Sequence, residues 1–381
     1  MGQVMKIGLS DEQQMLRRAS RQLAEKDGGP TEIRHLADGI VRFDSASWVP
    51  AAELAWPAML IPEEFGGAGE AGGITNAAII GEELGRALHP APFTEINVVA
   101  DAVARFGSDD LRARVLPGIS DGSLIATWAI ADDGESWDGG GRLIVAAPTG
   151  TGWVISGRKV AVRDAAVADL ILVAAAGPNG PIEALISASA PGVRVAPTDG
   201  LDLTRRLDTV FLDRVPVRPS DVLTRQQDTD PLERQLYLAA ALTCADTVGA
   251  ATRLFEGTVE YARQRFAFGR PIGSFQAVKH QLADGYTWLE AAQAATWQAA
   301  DALQSSAPDT PETVSVAKAF VGEHCSRIAQ MCMQVYGGIA MTWEHDAHLF
   351  LRRIRTDDAL YGAASWHRDR LCTIVGMGRG R

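Results

Sequence analysis

The sequence has no apolar stretch approaching the roughly 20 residues that a membrane helix needs. Its N-terminus, MGQVMKIGLSDEQQ, has no apolar run between a basic start and a cleavage site, so no signal peptide is expected and the chain reads as cytoplasmic. Cysteine is scarce: Cys244, Cys325, Cys332 and Cys372, with no CxxC pair, so neither a zinc cluster nor thioredoxin-type redox chemistry is indicated. Cys325 and Cys332 fall seven apart on a helical pattern and read as small buried apolar residues. The seven histidines include no His-Glu-x-x-His, and no Gly-x-Gly-x-x-Gly run follows a strand pattern. Excess positive charge is also missing. A net charge of -11 argues against nucleic acid or an anionic membrane as partner.

What is present is a three-part pattern. The 381 residues are 46% apolar and 22% charged, a globular composition with room for two or three folding units. Residues 1–122 read as a helical domain. Ser10 to Gln13 form a capping box. Met15, Leu16, Ala19, Leu23 and Ala24 then recur at helical spacing, and Trp48, Leu54, Trp56 and Met59 continue the apolar face. Ile61 to Gly73 is too glycine-rich for helix. Ile74 to Leu88 reads as a helix with Glu82, Glu83 and Arg86 outward, stopped by His89-Pro90-Ala91-Pro92. Asn97 to Phe106 and Asp109 to Val115 read as two more.

Residues 123–224 change to short β runs spaced about 10 residues apart, with Thr149-Gly150-Thr151-Gly152 as a hairpin connection. That spacing suits an antiparallel sandwich or barrel. Residues 224–231 read as a linker. Residues 225–381 are helical again: Leu232 to Gln264, Ser274 to Leu303, Pro311 to Tyr336, a segment from Trp343, and Ala364 to Ile374. Long helices with short loops make an antiparallel bundle. Gly249 and Gly257 inside the first of them cost about 1 kcal/mol each against Ala unless a close helix contact needs them. The expected fold class is therefore α+β multidomain: helical domain, antiparallel β domain, four-helix bundle.

The chemistry gathers between Tyr261 and Tyr286, where a helix end, a glycine-proline turn and a helix start carry Arg265, Arg270 and Lys279 beside Phe268, Phe275 and Gln276. Arginine forks pair with phosphate oxygens, and a helix N-terminus favours an anion. A dinucleotide pyrophosphate and adenine would suit the turn; a helical hairpin with a solvated basic tip is the plainer alternative. Glu344-His345-Asp346 with His348 reads as a polar helix start, with a metal cluster as the alternative.

Three separated motifs in the right order make the chain resemble the acyl-CoA dehydrogenases, flavoproteins that desaturate acyl-CoA thioesters. Arg265 to Ile272 with Phe275-Gln276 is similar to the family's Arg-x-x-Phe-Gly motif and its sequel. Gln334-Val335-Tyr336-Gly337-Gly338 resembles its Gln-x-x-Gly-Gly motif, and Ile61 to Gly67 its proline-glutamate-glycine loop. The resemblance covers nearly the whole chain. It implies that Arg265, Phe268, Gln276, Gln334, Gly337 and Gly338 hold the pyrophosphate and adenine end of FAD, commonly the FAD seated in a neighbouring subunit.

The flavin half departs from that pattern. The family's Thr-Glu-Pro-x-Ala-Gly-Ser-Asp segment corresponds to Ala129 through Ser136, which puts Ala131 where a threonine would meet the flavin. Its Lys-x-Trp-Ile-Thr segment corresponds to Lys159 through Arg163, with Ala161 for the tryptophan and Arg163 for the threonine. The usual base position holds Gly362, counting from Arg353. The minority position on the long helix holds Ala239. Glu233, six residues away, is about 9 Å along a helix. Asp357 and Asp358 read as solvated or paired with Arg352 and Arg355.

The pattern of losses implies the partner subunit of an α2β2 acyl-CoA dehydrogenase, completing the FAD site of a chain that carries the catalytic glutamate. An acyl-CoA is the implied substrate and an electron-transfer flavoprotein the implied acceptor. Two alternatives stand beside it: a self-sufficient homotetramer using Glu233 as base, and a scaffold or CoA-ester-binding protein without flavin.

Overall fold

A computed structural model describes residues 8–30, 33–34, 48–69, 72–133, 137, 144–224 and 230–377. Glu135 and Ser136, and most of the expected linker, lie outside the described residues.

The first section holds α1 (Asp11–Asp27), α2 (Trp48–Glu53), α3 (Gly73–Arg86), α4 (Phe93–Phe106) and α5 (Asp109–Ser120). The capping box forms, with Ser10 and Gln13 satisfying each other's backbone amides. Trp48 and Trp56 are completely buried, and Ala24 with them. Met15 instead faces solvent, 68% exposed, because the buried stripe of α1 runs through Ser20 and Ala24. α4 begins at Phe93, four residues before the expected start, since Pro92 serves as its N-cap. α5 continues past Val115 and carries Pro117 within it.

Glu82 and Glu83, expected outward, are buried. α3 is covered on that side by α1 and by the bundle. Arg21 clasps Glu83 at 2.7 and 2.9 Å, while Glu82 takes Arg17 at 3.0 Å and Gln293 at 3.1 Å. A buried carboxylate persists only when paired in this way.

The middle section has β1 (Ala126–Ala129), β2 (Val145–Thr149), β3 (Gly152–Arg163), β4 (Leu170–Gly177), β5 (Gly180–Ser187), β6 (Val193–Thr198) and β7 (Leu207–Val217). They form one sheet in the order β1-β4-β2-β3-β7-β6, with β5 added on β4. Thr149 pairs with Gly152 across the expected hairpin. The expected antiparallel pairing holds for β2–β3, β3–β7, β4–β5 and β6–β7. It is corrected at β1–β4 and β2–β4, which run parallel. The two-residue-spaced Ile171, Val173 and Ala175 of β4 meet Ile155, Val210 and Val215 in a core of the sheet's own.

The last section holds α6 (Pro231–Gln264), the short pair β8 (Phe266–Ala267) and β9 (Arg270–Pro271), α7 (Gln276–Gln304), α8 (Thr310–Tyr336), α9 (Ala347–Ala359) and α10 (Ala364–Ile374). Of the two interior glycines of α6, Gly249 is required: its Cβ would sit 1.8 Å from the Glu82 carbonyl of α3. One apolar cluster runs through α3, α4, α6, α7 and α8, so the first section and the bundle share a core. Cys325 and Cys332 are buried in a second cluster inside the bundle.

Candidate functional site

Two regions carry the expected chemistry, one on the surface and one inside. The surface region lies where α6 ends. The Arg265 carbonyl accepts from the Ile272 amide at 2.8 Å, closing a hairpin whose tip is Phe268-Gly269. Phe268 has φ 51°, unusual for an aromatic residue, and is 95% exposed. Its ring stands edge-on to Phe275 at 6.3 Å, and the Arg270 guanidinium lies over the other ring at 4.1 Å. Gln276 opens α7, whose N-terminus has no side-chain cap. Arg265, Gln276 and Lys279 are exposed beside it.

The second motif arrives at the same end of the bundle. Tyr336, near the end of α8, packs its ring 4.9 Å from Tyr261 near the end of α6. Gln334, Gly337 and Gly338 are exposed. A Cβ on Gly337 or Gly338 would meet nothing within 4 Å. Internal packing therefore gives Gly338 no reason to be glycine; the open backbone fits a group approaching from outside the chain. Phe266, Ile339, Met341 and Trp343 are exposed apolar residues on these segments.

The inner region joins the sheet to the helices. Val160 donates to the Ala131 carbonyl at 3.0 Å, which ties β3 to the end of β1. Lys159 is buried on Asp132 and the Ile130 carbonyl. Ala161 has φ 51° and Asp164 φ 50°. Between them Arg163 turns inward and is 4% exposed. It meets Glu95 of α4 at 3.1 Å and donates to the Ala91 carbonyl at 2.6 Å. Tyr361 donates its hydroxyl to the same Glu95. The Tyr361 ring stacks on Trp128 of β1, centroids 5.9 Å apart, and meets Trp137 edge-on at 5.2 Å. Burial, and then the adjacent Glu95 carboxylate, hold the Tyr361 hydroxyl far above its ordinary range. Burial pushes Asp164 up to about 7, outweighing the attraction of Arg163.

The two base positions hold no acid and could not easily hold one. Gly362 has φ 100°, and its Cβ would lie 2.6 Å from Trp366 and 2.8 Å from His367. Ala239 is fully buried in α6. Glu233 sits in the first turn of α6. There it accepts from the Tyr237 hydroxyl at 3.0 Å and pairs with Arg370.

Asp357 corrects the sequence reading. It is fully buried rather than solvated, and its partners are Arg205 and Thr247. Arg353 spans Asp246 at 2.6 and 2.9 Å, Thr204 at 2.7 Å and the His89 carbonyl at 3.0 Å. Burial alone would raise both aspartates; Arg205 and Arg353 outweigh it at Asp246, which is lowered, but not at Asp357, which is raised. Asp358 does pair with Arg355, at 3.6 Å.

Other motifs resolve locally. His345 Nδ1 accepts from the Ala347 amide at 3.1 Å, Asp346 pairs with Arg34 at 2.8 Å and His348 stacks on Trp343. Gly118-Ile119-Ser120-Asp121-Gly122 has the spacing of a hydrolase nucleophile elbow. Ser120, however, ends a helix and spends its hydroxyl on the Gly66 carbonyl; the strand-to-helix turn that the elbow needs is missing there. Sequence reasoning flagged Arg163 but missed Glu95 and Tyr361. The one signal for Glu95 was an acidic residue in the first turn of α4, set among Phe93, Ile96, Val98 and Val99.

Comparisons with known proteins bear on the family and the fold. The model for the acyl-CoA dehydrogenase N-terminal domain matches residues 10–123, and that for the C-terminal domain residues 231–374. Acyl-CoA dehydrogenase IpdE2 of Mycobacterium tuberculosis is 32% identical over 347 residues, 90% of this chain and 91% of the relative. Acyl-CoA dehydrogenase FadE27 of the same organism is 34% identical over 345 residues, 88% and 89% of the two chains. The ChsE4-ChsE5 complex from M. tuberculosis superposes with a TM-score of 0.90 at 27% identity, covering 99% of this chain and 100% of that one. A variant of the Tcur3481-Tcur3483 steroid ACAD gives 0.88 at 30% identity, covering 96% and 98%.

Proposed function

The chain belongs to the acyl-CoA dehydrogenase family, and from that premise we propose that it is the partner subunit of a two-chain acyl-CoA dehydrogenase. It completes the FAD site of a catalytic chain and supplies no base of its own. The carrying observation is the contrast between the regions. The surface motifs are open, with the Arg265 side chain unpaired among the described residues and no packing contact that calls for Gly338, whereas the inner region is occupied by the chain's own side chains.

FAD is the cofactor, and when bound it supplies the hydride acceptor for α,β-desaturation of the thioester. This chain's residues would hold its ADP portion. Arg265 offers a fork to the pyrophosphate, Phe268 an aromatic face to the adenine, and Gln276 and Gln334 amides. Gly337 and Gly338 allow a close backbone approach. The carboxylate that takes the α-proton comes from the other chain. ChsE4-ChsE5 and Tcur3481-Tcur3483, each named as a pair, support the two-chain reading. The second also supports a steroid-class acyl-CoA as substrate. An electron-transfer flavoprotein is the acceptor in this reading. The boundaries 1–122, 123–224 and 225–381 serve as its working domain limits.

The test is flavin absorbance of the chain purified alone and after co-expression with family members encoded beside it. Alone, it is expected to be colourless and inactive. With its partner, about one FAD per pair of chains is expected, together with desaturase activity. A yellow, active homotetramer overturns the proposal.

A further inference from the structure

The inner region fits the chain's own flavin poorly, and that disagreement has a physical form. We infer that Arg163, Glu95 and Tyr361 make a built-in plug. They fill, from three separate elements, the cleft between the sheet and the helical body where a flavin ring would otherwise lie. The inference rests on the two-chain reading above and adds how the second cleft is silenced: by closure, not only by loss of the base.

Three observations carry it. First, the filling is continuous. β3 contributes Arg163, α4 contributes Glu95, and the turn after α9 contributes Tyr361, joined at 3.1 Å and by a hydroxyl–carboxylate bond. Trp128 of β1 stacks against the tyrosine ring. Each of these four side chains is no more than 4% exposed. Second, the plug sets opposite charges against each other: the Arg163 guanidinium faces Glu95 at 3.1 Å and Asp164 at 3.6 Å, and the Tyr361 phenol stays protonated. A buried pair of this kind needs further hydrogen bonds to offset desolvation: Arg163 donates to the Ala91 carbonyl at 2.6 Å and Glu95 accepts from the Tyr361 hydroxyl, while Glu95 Oε2 and Arg163 Nε have no hydrogen-bond partner among the described residues. Third, three of the eight non-glycine residues with positive φ among the described residues lie there. Ala161, Asp164 and Tyr361 all have φ between 50° and 57°, and strain of that kind persists only where the surroundings fix it. His367 adds a brace, its Nε2 3.1 Å from the Tyr361 carbonyl.

The experiment uses lumiflavin, which carries the flavin ring without ribityl or ADP. It therefore reports the inner cleft alone, whatever the surface motifs do. Wild-type chain and the opened variant Glu95→Ala/Arg163→Thr/Tyr361→Gly are titrated, and quenching of tryptophan fluorescence is followed. Glycine suits the left-handed position of Tyr361. The expected result is no saturable quenching of the wild type, and binding by the opened variant at least about tenfold tighter. Saturable binding by the wild type overturns the plug, as does an opened variant with wild-type circular dichroism and no binding.

Where the opened variant does not fold, nitration of the wild type by tetranitromethane decides, read by peptide mass spectrometry. Tyr286, 54% exposed, is the positive control, and Tyr361 at 4% is expected to resist. Nitration of Tyr361 at the rate of Tyr286 overturns the inference. Failure of the two-chain reading alone looks different: the co-expressed assembly would then carry no FAD, with the lumiflavin result unchanged.

Discussion

The rings of Tyr261 and Tyr336 lie 4.9 Å apart, and this contact brings two motifs separated by some seventy residues to one end of the bundle. Tyr261 precedes the hairpin of Arg265 and Phe268; Tyr336 sits inside Gln334 to Gly338. Neither motif could grip a dinucleotide alone. Their shared exposure, on a protein of net charge -11, makes a local basic and aromatic spot suited to one anionic cofactor.

Arg265→Ala is the first consequence. Among the described residues the Arg265 side chain has no hydrogen-bond or ionic partner, so its removal leaves the fold intact. A charge-assisted bond to phosphate is worth about 1.5–3 kcal/mol, roughly ten- to hundredfold in affinity. FAD retained by the assembled two-chain enzyme should fall by that factor in a desalting and absorbance assay. Arg263→Ala is the control. Arg263 is exposed and faces Glu260 at 3.8 Å, and its loss should leave FAD in place.

Glu233→Gln should leave desaturation by the assembled enzyme unchanged within about twofold. The carboxylate is held by Tyr237 and Arg370 in the first turn of α6. It is half exposed, so the pair contributes no more than about 1 kcal/mol. Abolished turnover would revive the self-sufficient reading with Glu233 as base.

The order of sections and the seven strands were legible because hydrophobic period changes sharply near residues 123 and 224. The surface motifs proposed to hold the ADP portion stood out in the sequence because they are local: charge, aromatic and glycine fall within a few residues. The plug was not. Glu95, Arg163 and Tyr361 are each unremarkable in their own segment and acquire meaning only when α4, β3 and the turn after α9 meet. The same holds for Glu82, Glu83 and Asp357, which look like surface charges until Arg21, Arg17 and Arg205 arrive from elsewhere in the chain. Periodicity reports which residues share a face; it does not report what covers that face.

Gly249→Ala tests one such covered face. The new methyl would meet the Glu82 carbonyl at 1.8 Å, with backbone on both sides. Neither α3 nor α6 can yield by moving a side chain, so the helices must separate. A loss of about 3 kcal/mol or more is expected, measured as a lower urea midpoint. Gly257→Ala is the milder comparison. Its methyl meets the Tyr336 hydroxyl at 2.9 Å, and that flexible side chain can swing aside.

Asp164 sets a pH dependence whose sign is opposite to that of the buried histidines. Burial raises its carboxyl from 3.8 to about 7. The folded state therefore binds the proton more tightly than the unfolded state. The associated stability is complete below about pH 4 and is lost as pH rises through 7. Three units correspond to about 4 kcal/mol at most, as an order of magnitude. His89 and His367, lowered by burial to about 3, act the other way and cost stability as pH falls below 6.5. A single pH–stability curve would mix these effects, so the difference between wild type and Asp164→Asn is the informative quantity. Asparagine accepts the φ of 50° and cannot ionise. Its advantage in melting temperature over the wild type should grow steadily from pH 4 to pH 8. A difference that is flat across that range would mean the Asp164 carboxyl ionises normally in the folded chain, and that Arg163 is shared between it and Glu95.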